Sequence, residues 1–127
     1  MGKEKVRLGR IGEEIALDFL RKNGYRIIER NFRSLPGEID LIAEEGKVKV
    51  FVEVKTRNSL AHGLPGDAIT SRKKRHMVKA ALSYIKKRGW TAQTYRFDIV
   101  GIIMNGKGKV RNIEIIRNAF QPDTQYG

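Results

Sequence analysis

The chain predicts one three-layer α/β domain, a mixed β-sheet flanked by helices in the order α-β-β-β-α-β-β. Three observations carry this. Two segments repeat their apolar residues at helical spacing, five others read as strands, and the helical segment between the third and fourth strands is long enough for a crossover. With 127 residues and 40% apolar content, the chain fills one core and leaves little for a second.

The first helix is expected from Val6 to Asn23, where Leu8, Ile11, Ile15 and Phe19 recur at steps of three and four beside Leu20. Gly24, after Arg21, Lys22 and Asn23, is its stop. Tyr25–Arg33 is the first expected strand, and 34–37 (Ser-Leu-Pro-Gly) forms a turn. Glu38–Glu44 and Val48–Thr56 follow as a hairpin. In the latter, Val48, Val50, Val52 and Val54 share one face, while Lys49, Phe51, Glu53 and Lys55 share the other. Arg57–Gly66 reads as a basic exposed loop.

A second helix is expected from Thr70 to Arg88, capped by Thr70 or Ser71, with Met77, Ala80, Ala81, Tyr84 and Ile85 as its apolar stripe. As a right-handed crossover it would set Tyr95–Met104 parallel to Val48–Thr56. Val110–Ile116 then returns through a hairpin around 105–108, and 118–127 reads as a frayed tail with Phe120 as its one anchor.

The 26 Lys and Arg against 14 Asp and Glu leave a net charge of +12, which attracts polyanions and favours nucleic acid over the alternatives of an acidic membrane surface or simple solubility. No cysteine is present, so disulfides and thiolate metal sites are excluded. The charged first residues make no signal peptide, and no apolar run suits a membrane span. The expected setting is cytoplasmic, without a membrane partner.

Residues 37–57 carry the chemistry. If Gly46-Lys47 is a two-residue type II′ turn, Glu45 pairs with Val48, and continuing the register sets Asp40 opposite Glu53, with Cβ atoms roughly 4.5–5.5 Å apart. Moving the loop to Glu45-Gly46 makes the pair diagonal, still within reach of a shared ion. Carboxylates so placed repel unless a cation joins them. Hard Mg²⁺ or Mn²⁺ takes one or two carboxylates and keeps waters for a phosphate substrate. Lys55 shares the face and suits the charge of a phosphodiester under hydrolysis. The competing reading is a surface hairpin decorated with Glu and Lys. Against it, both acids interrupt strongly apolar strands.

Glu14 flanks the apolar face of the first helix, with Gly9 and Gly12 just before it. A glycine inside a helix suggests a close backbone approach. On spacing alone, a solvated glutamate paired with Arg10 is the simpler reading of Glu14. Arg72, Lys73, Lys74 and Arg75 crowd the second helix's first turns, against its dipole. Lys73 falls on the stripe side, toward the acids. The others, with Arg57, are candidate phosphate contacts, and a solvated charged turn is the equal alternative. His62 and His76 read as incidental, Arg96 with Asp98 as a structural ion pair, and Trp90 and Tyr95 as core or edge residues.

The helix RLGRIGEEIALDFL, then GEIDLIA, VFVEVKTR, the KKR helix and RFDIV together resemble the YraN-like family of uncharacterised bacterial proteins, over about residues 8 to 103. That family is similar to the restriction-endonuclease-like, PD-(D/E)XK superfamily, near the Holliday-junction resolvases. The resemblance implies that Glu14, Asp40 and Glu53 hold a metal ion, that Glu53 and Lys55 form the E-x-K pair, and that Lys73 is a basic helper. One departure is Ile39, where the superfamily name expects proline. The expected function is metal-dependent phosphodiester hydrolysis of nucleic acid, DNA in particular and branched or structured DNA within that. A nucleic-acid-binding module that retains the fold without efficient catalysis is the alternative, and a basic scaffold protein is a third. A junction-cutting enzyme needs two cuts and so favours a homodimer, although no dimer seam is legible.

Overall fold

The alternation in Val48–Val54 decides the layering, because it sets the valines on one side of the sheet and Phe51 on the other, so that each side has an apolar contact for a helix. In the computed structural model, which describes residues 2–58, 69–90 and 94–122, helix α1 (Gly2–Lys22) precedes a meander of β1 (Arg26–Ser34), β2 (Gly37–Glu45) and β3 (Val48–Arg57). Helix α2 (Ser71–Lys87), β4 (Tyr95–Met104) and β5 (Val110–Phe120) complete the chain. One sheet has the order β1-β2-β3-β4-β5, with β3 and β4 parallel and the other neighbours antiparallel. The crossover through α2 thus falls where the sequence predicts it.

Val50 and Val52 meet Ala16, Leu17 and Leu20 of α1. Phe51 and Phe97 meet Met77, Ala81 and Tyr84 of α2 on the other face. Helix, sheet, helix is the three-layer arrangement of the restriction-endonuclease-like fold. No helix among the described residues is long and apolar enough to cross a membrane.

The ends of β1, β2 and α2 lie within one residue of expectation; the start of α1, the ends of β3 and β5 and the phase of α1 also differ. α1 begins at Gly2, four residues before the expected start. β3 extends by one residue to Arg57; the rest of the expected basic loop, from 59 on and including His62, lies outside the described residues. β5 runs to Phe120, so residues 118–120 are strand and not frayed tail. Phe120 pairs with Phe97 and stacks on it at a centroid distance of 4.8 Å, a long-range contact that holds the strand end.

The phase of α1 is turned from the expected one. Ile11 is exposed, and the fully buried line runs through Ala16 and Leu20. Gly12 explains the rotation: a Cβ there would lie 1.9 Å from Thr56 Oγ1 of β3. The helix backbone therefore rests directly on the sheet at Gly12, while Gly9 meets nothing within 4 Å.

Candidate metal and nucleic-acid site

The hairpin register follows from its turn. Gly46 has φ of +61° and Lys47 has no positive φ, as a type II′ turn with glycine first requires. The ladder runs from Glu45↔Val48 to Leu41↔Val52, so Asp40 and Glu53 are the next opposed pair. There the main-chain ladder stops. Leu41 packs toward α1, whereas both Ile39 and Ile42 pack toward α2, so the two-residue alternation breaks at Asp40. The Asp40 side chain takes over from the ladder, with Oδ2 accepting from the Val54 N–H at 2.8 Å. The β2–β3 ladder ends at this point, with Asp40 and Glu53 just beyond its last pair.

Glu53 is only 3% exposed, and its Oε2 has no hydrogen-bond partner among the described residues. Burial and then the Asp40 charge push its carboxyl up to about 8, against the opposing pull of Lys73 and Lys55. Asp40 is also raised, chiefly by burial, while the Val54 N–H, Glu53 and Lys73 favour its charged form. The two carboxyls are near enough to interact when one carries a proton. Two desolvated acids held in contact form an arrangement that local stability does not favour.

Lys73 reaches across from α2, its Nζ 3.5 Å from Glu53 Oε1. Thr70 makes this possible by capping the helix, its side chain accepting from the Lys73 N–H at 3.1 Å. Lys55 is half-buried, and close enough to Glu53 to favour its ionised form.

Glu14 does not join them. It is exposed and pairs with Arg30, not with the Arg10 that spacing suggested. The helix acid that senses the site is its neighbour Glu13, half-buried and raised first by burial and next by the Asp40 charge. The rotation of α1 at Gly12 accounts for the exchange. Among the described residues, no three acidic or histidine side chains converge into a metal cage. The donor set that does converge is two carboxylates, with one buried oxygen unsatisfied. Two hard oxygen donors leaving room for water suit Mg²⁺ or Mn²⁺ better than a softer ion.

The remaining cations distribute unevenly. Arg72 is exposed, Lys74 lies over the Phe120 ring at 5.6 Å, and Arg75 is half-buried. Arg57 is half-buried at the end of β3, with its Nε lacking a partner among the described residues. Of the basic run, Lys73 turns to the acids. Next to it, a cavity of about 300 Å³ opens between α2 and the β1–β2 turn, and His76 is part of its wall. Neither Glu13 nor this cavity was legible in the spacing. A hint lay in Gly12, whose contact selects which helix acid faces the sheet.

Arg96 and Asp98 form the expected ion pair, at 2.9 Å, within a larger network. Asp98 is fully buried and accepts from Tyr25 Oη, from Arg96 and from the Asn118 N–H. Arg96 also pairs with Glu45, which in turn binds Arg117. Every polar group there has a partner, which marks a structural staple.

The sequence profile described as "Uncharacterised protein family UPF0102" matches residues 12–102. The chain is 49% identical to a UPF0102 protein of Caldicellulosiruptor saccharolyticus, over 91% of this chain and 98% of the relative. It is 46% identical to one of Trichlorobacter lovleyi, over 94% of each, and 44% identical to one of Clostridium botulinum, over 90% of this chain and 94% of the relative. The matched span includes Glu13, Asp40, Glu53, Lys55 and Lys73.

Proposed function

Since the chain belongs to the uncharacterised protein family UPF0102, whose name assigns no activity, we propose from its site that it is a metal-dependent nuclease acting on DNA in the cytoplasm. One observation carries the reading: Glu53, buried with an unsatisfied oxygen, meets Asp40 where the β2–β3 ladder ends, with Lys55 and Lys73 beside them. A stable fold gains nothing from that burial, whereas a cation site explains it.

Asp40 and Glu53 would hold Mg²⁺ or Mn²⁺. Such an ion supplies Lewis-acid polarisation of a phosphate oxygen and eases deprotonation of water near neutral pH. The chain's own groups do the rest. The Val54 N–H fixes Asp40, so the site is organised before substrate arrives. Lys55 offers positive charge to the phosphoryl oxygens as water adds to phosphorus and the bond to the leaving sugar oxygen breaks. Lys73 can turn from Glu53 to a neighbouring phosphate. The net charge of +12 draws the polyanion in. A junction substrate, needing two cuts, would call for a homodimer.

The test incubates the purified protein with supercoiled, linear, single-stranded and four-way-junction DNA, with and without Mn²⁺ or Mg²⁺. Metal-dependent cleavage that disappears in Asp40→Ala and Lys55→Ala is the expected result. A second reading, a binding module with the nuclease fold, draws on the meeting of only two acids among the described residues. Its signature is salt-sensitive binding without cleavage, unchanged by those substitutions.

A further inference from the structure

Leu35, at the β1–β2 turn, is 93% exposed. Its surroundings are built, not loose. A Cβ on Gly37 would lie 2.1 Å from the His76 carbonyl oxygen, so the turn sits directly on the α2 backbone. Ser34 Oγ donates to Ser83 Oγ of α2 at 2.9 Å, tying down the end of β1. A leucine held at the tip of an anchored turn serves no core. Beneath it the cavity of about 300 Å³ is bounded by the apolar Met77 on one side and by Arg33, His76 and Lys73 on others.

We propose that this cavity receives one unpaired nucleotide of the DNA beside the bond to be cut, with its base under Leu35 and its phosphate between Arg33 and Lys73. The inference rests on the nuclease reading and specifies its substrate. The volume lies at the low end of ligand pockets, enough for a single base and far too narrow for a duplex. A base within an intact stack cannot enter, and extruding it costs least where it is already unpaired. Leucine is among the apolar side chains that wedge between base steps. A phosphate would compete for both cations: Arg33 is mostly exposed and pairs with Glu38 at 3.4 Å, and Lys73 pairs with Glu53 at 3.5 Å and links the cavity to the acids. Glu38, on the cavity wall, repels phosphate but can accept from a base amino group, which sets the polarity of the bound nucleotide.

The experiment measures binding, in chelator, of two DNA duplexes that differ by one unpaired 2-aminopurine nucleotide. The expected result is a preference on the order of tenfold for the unpaired form, with a change in 2-aminopurine fluorescence on binding. Leu35→Ser, at an exposed position that folding does not use, should bring the ratio to about one and remove the fluorescence change. Equal binding of both duplexes, or a preference that survives Leu35→Ser, overturns the proposal. Cleavage assayed with Mn²⁺ separates the two ideas. Equal cutting of both duplexes keeps the nuclease and discards the pocket, whereas preference without cutting keeps the pocket and discards the nuclease.

Discussion

Lys73 Nζ stands 3.5 Å from Glu53 Oε1, an ammonium from α2 set against a nearly buried acid of β3. Even so, burial and Asp40 outweigh it and push the Glu53 carboxyl up to about 8. A group whose folded value lies above its unfolded one stabilises the fold most when protonated in both states, and loses that contribution as pH rises to the folded value. In chelator, the thermal midpoint should therefore fall as pH rises from about 5 to about 8, then level off. Mn²⁺ should raise the midpoint more at pH 8 than at pH 6, because proton and cation compete for the same oxygens. Glu53→Gln should flatten the slope and abolish the Mn²⁺ effect; a variant with the wild-type slope would show that Glu53 is not its source.

The two helix acids offer a sharper comparison. Glu13 feels the Asp40 charge, while Glu14 pairs with Arg30 at the surface. Glu13→Gln should weaken Mn²⁺ binding on the order of 10-fold, as loss of a neighbouring support does. Glu14→Gln should leave it essentially unchanged. Isothermal titration of both variants decides the matter, and the opposite ranking would return the role to Glu14.

Gly12 and Gly9 lie on the same helix and should respond oppositely. Alanine at 12 drives its Cβ into Thr56 and should cost about 1–3 kcal/mol. Thr56→Ala should restore only part of that, since Thr56 Cβ itself stands 3.0 Å from where the added carbon would lie. Alanine at 9 meets open space and should stabilise by up to about 1 kcal/mol through helix propensity. Urea unfolding of the three variants reads these values directly.

How much of this was legible beforehand depends on the range of the determining contact. The Asp40–Glu53 register could be read because a two-residue turn with glycine first fixes every pair behind it. The α2 start could be read because Thr70 is a local cap. The phase of α1 could not. Leu8, Ile15 and Leu20 pack on the core as their spacing predicts, but the close packing of Gly12 on Thr56 turns Ile11 outward, and neighbours such as Glu13 and Glu14 exchange roles under a rotation that small. The reach of β5 depended on Phe97, some twenty residues back in the chain, and His76 acquired surroundings only once the β1–β2 turn folded onto α2.

Asp98 tests whether the second acidic cluster is structural. Its carboxylate satisfies Tyr25, Arg96 and the Asn118 N–H at once, tying the segment after α1 to β4 and β5. Asp98→Ala takes an acceptor from the half-buried Arg96 guanidinium, which keeps Glu45, and from the buried Tyr25 phenol and the Asn118 N–H, which should cost about 2–4 kcal/mol. Asp98→Asn keeps acceptors in place and should cost less. Both variants, kept folded at low temperature, should bind Mn²⁺ like the wild type, because this staple shares no residue with the Asp40–Glu53 pair. Loss of Mn²⁺ binding in the folded Asn variant would instead make the network part of the functional site.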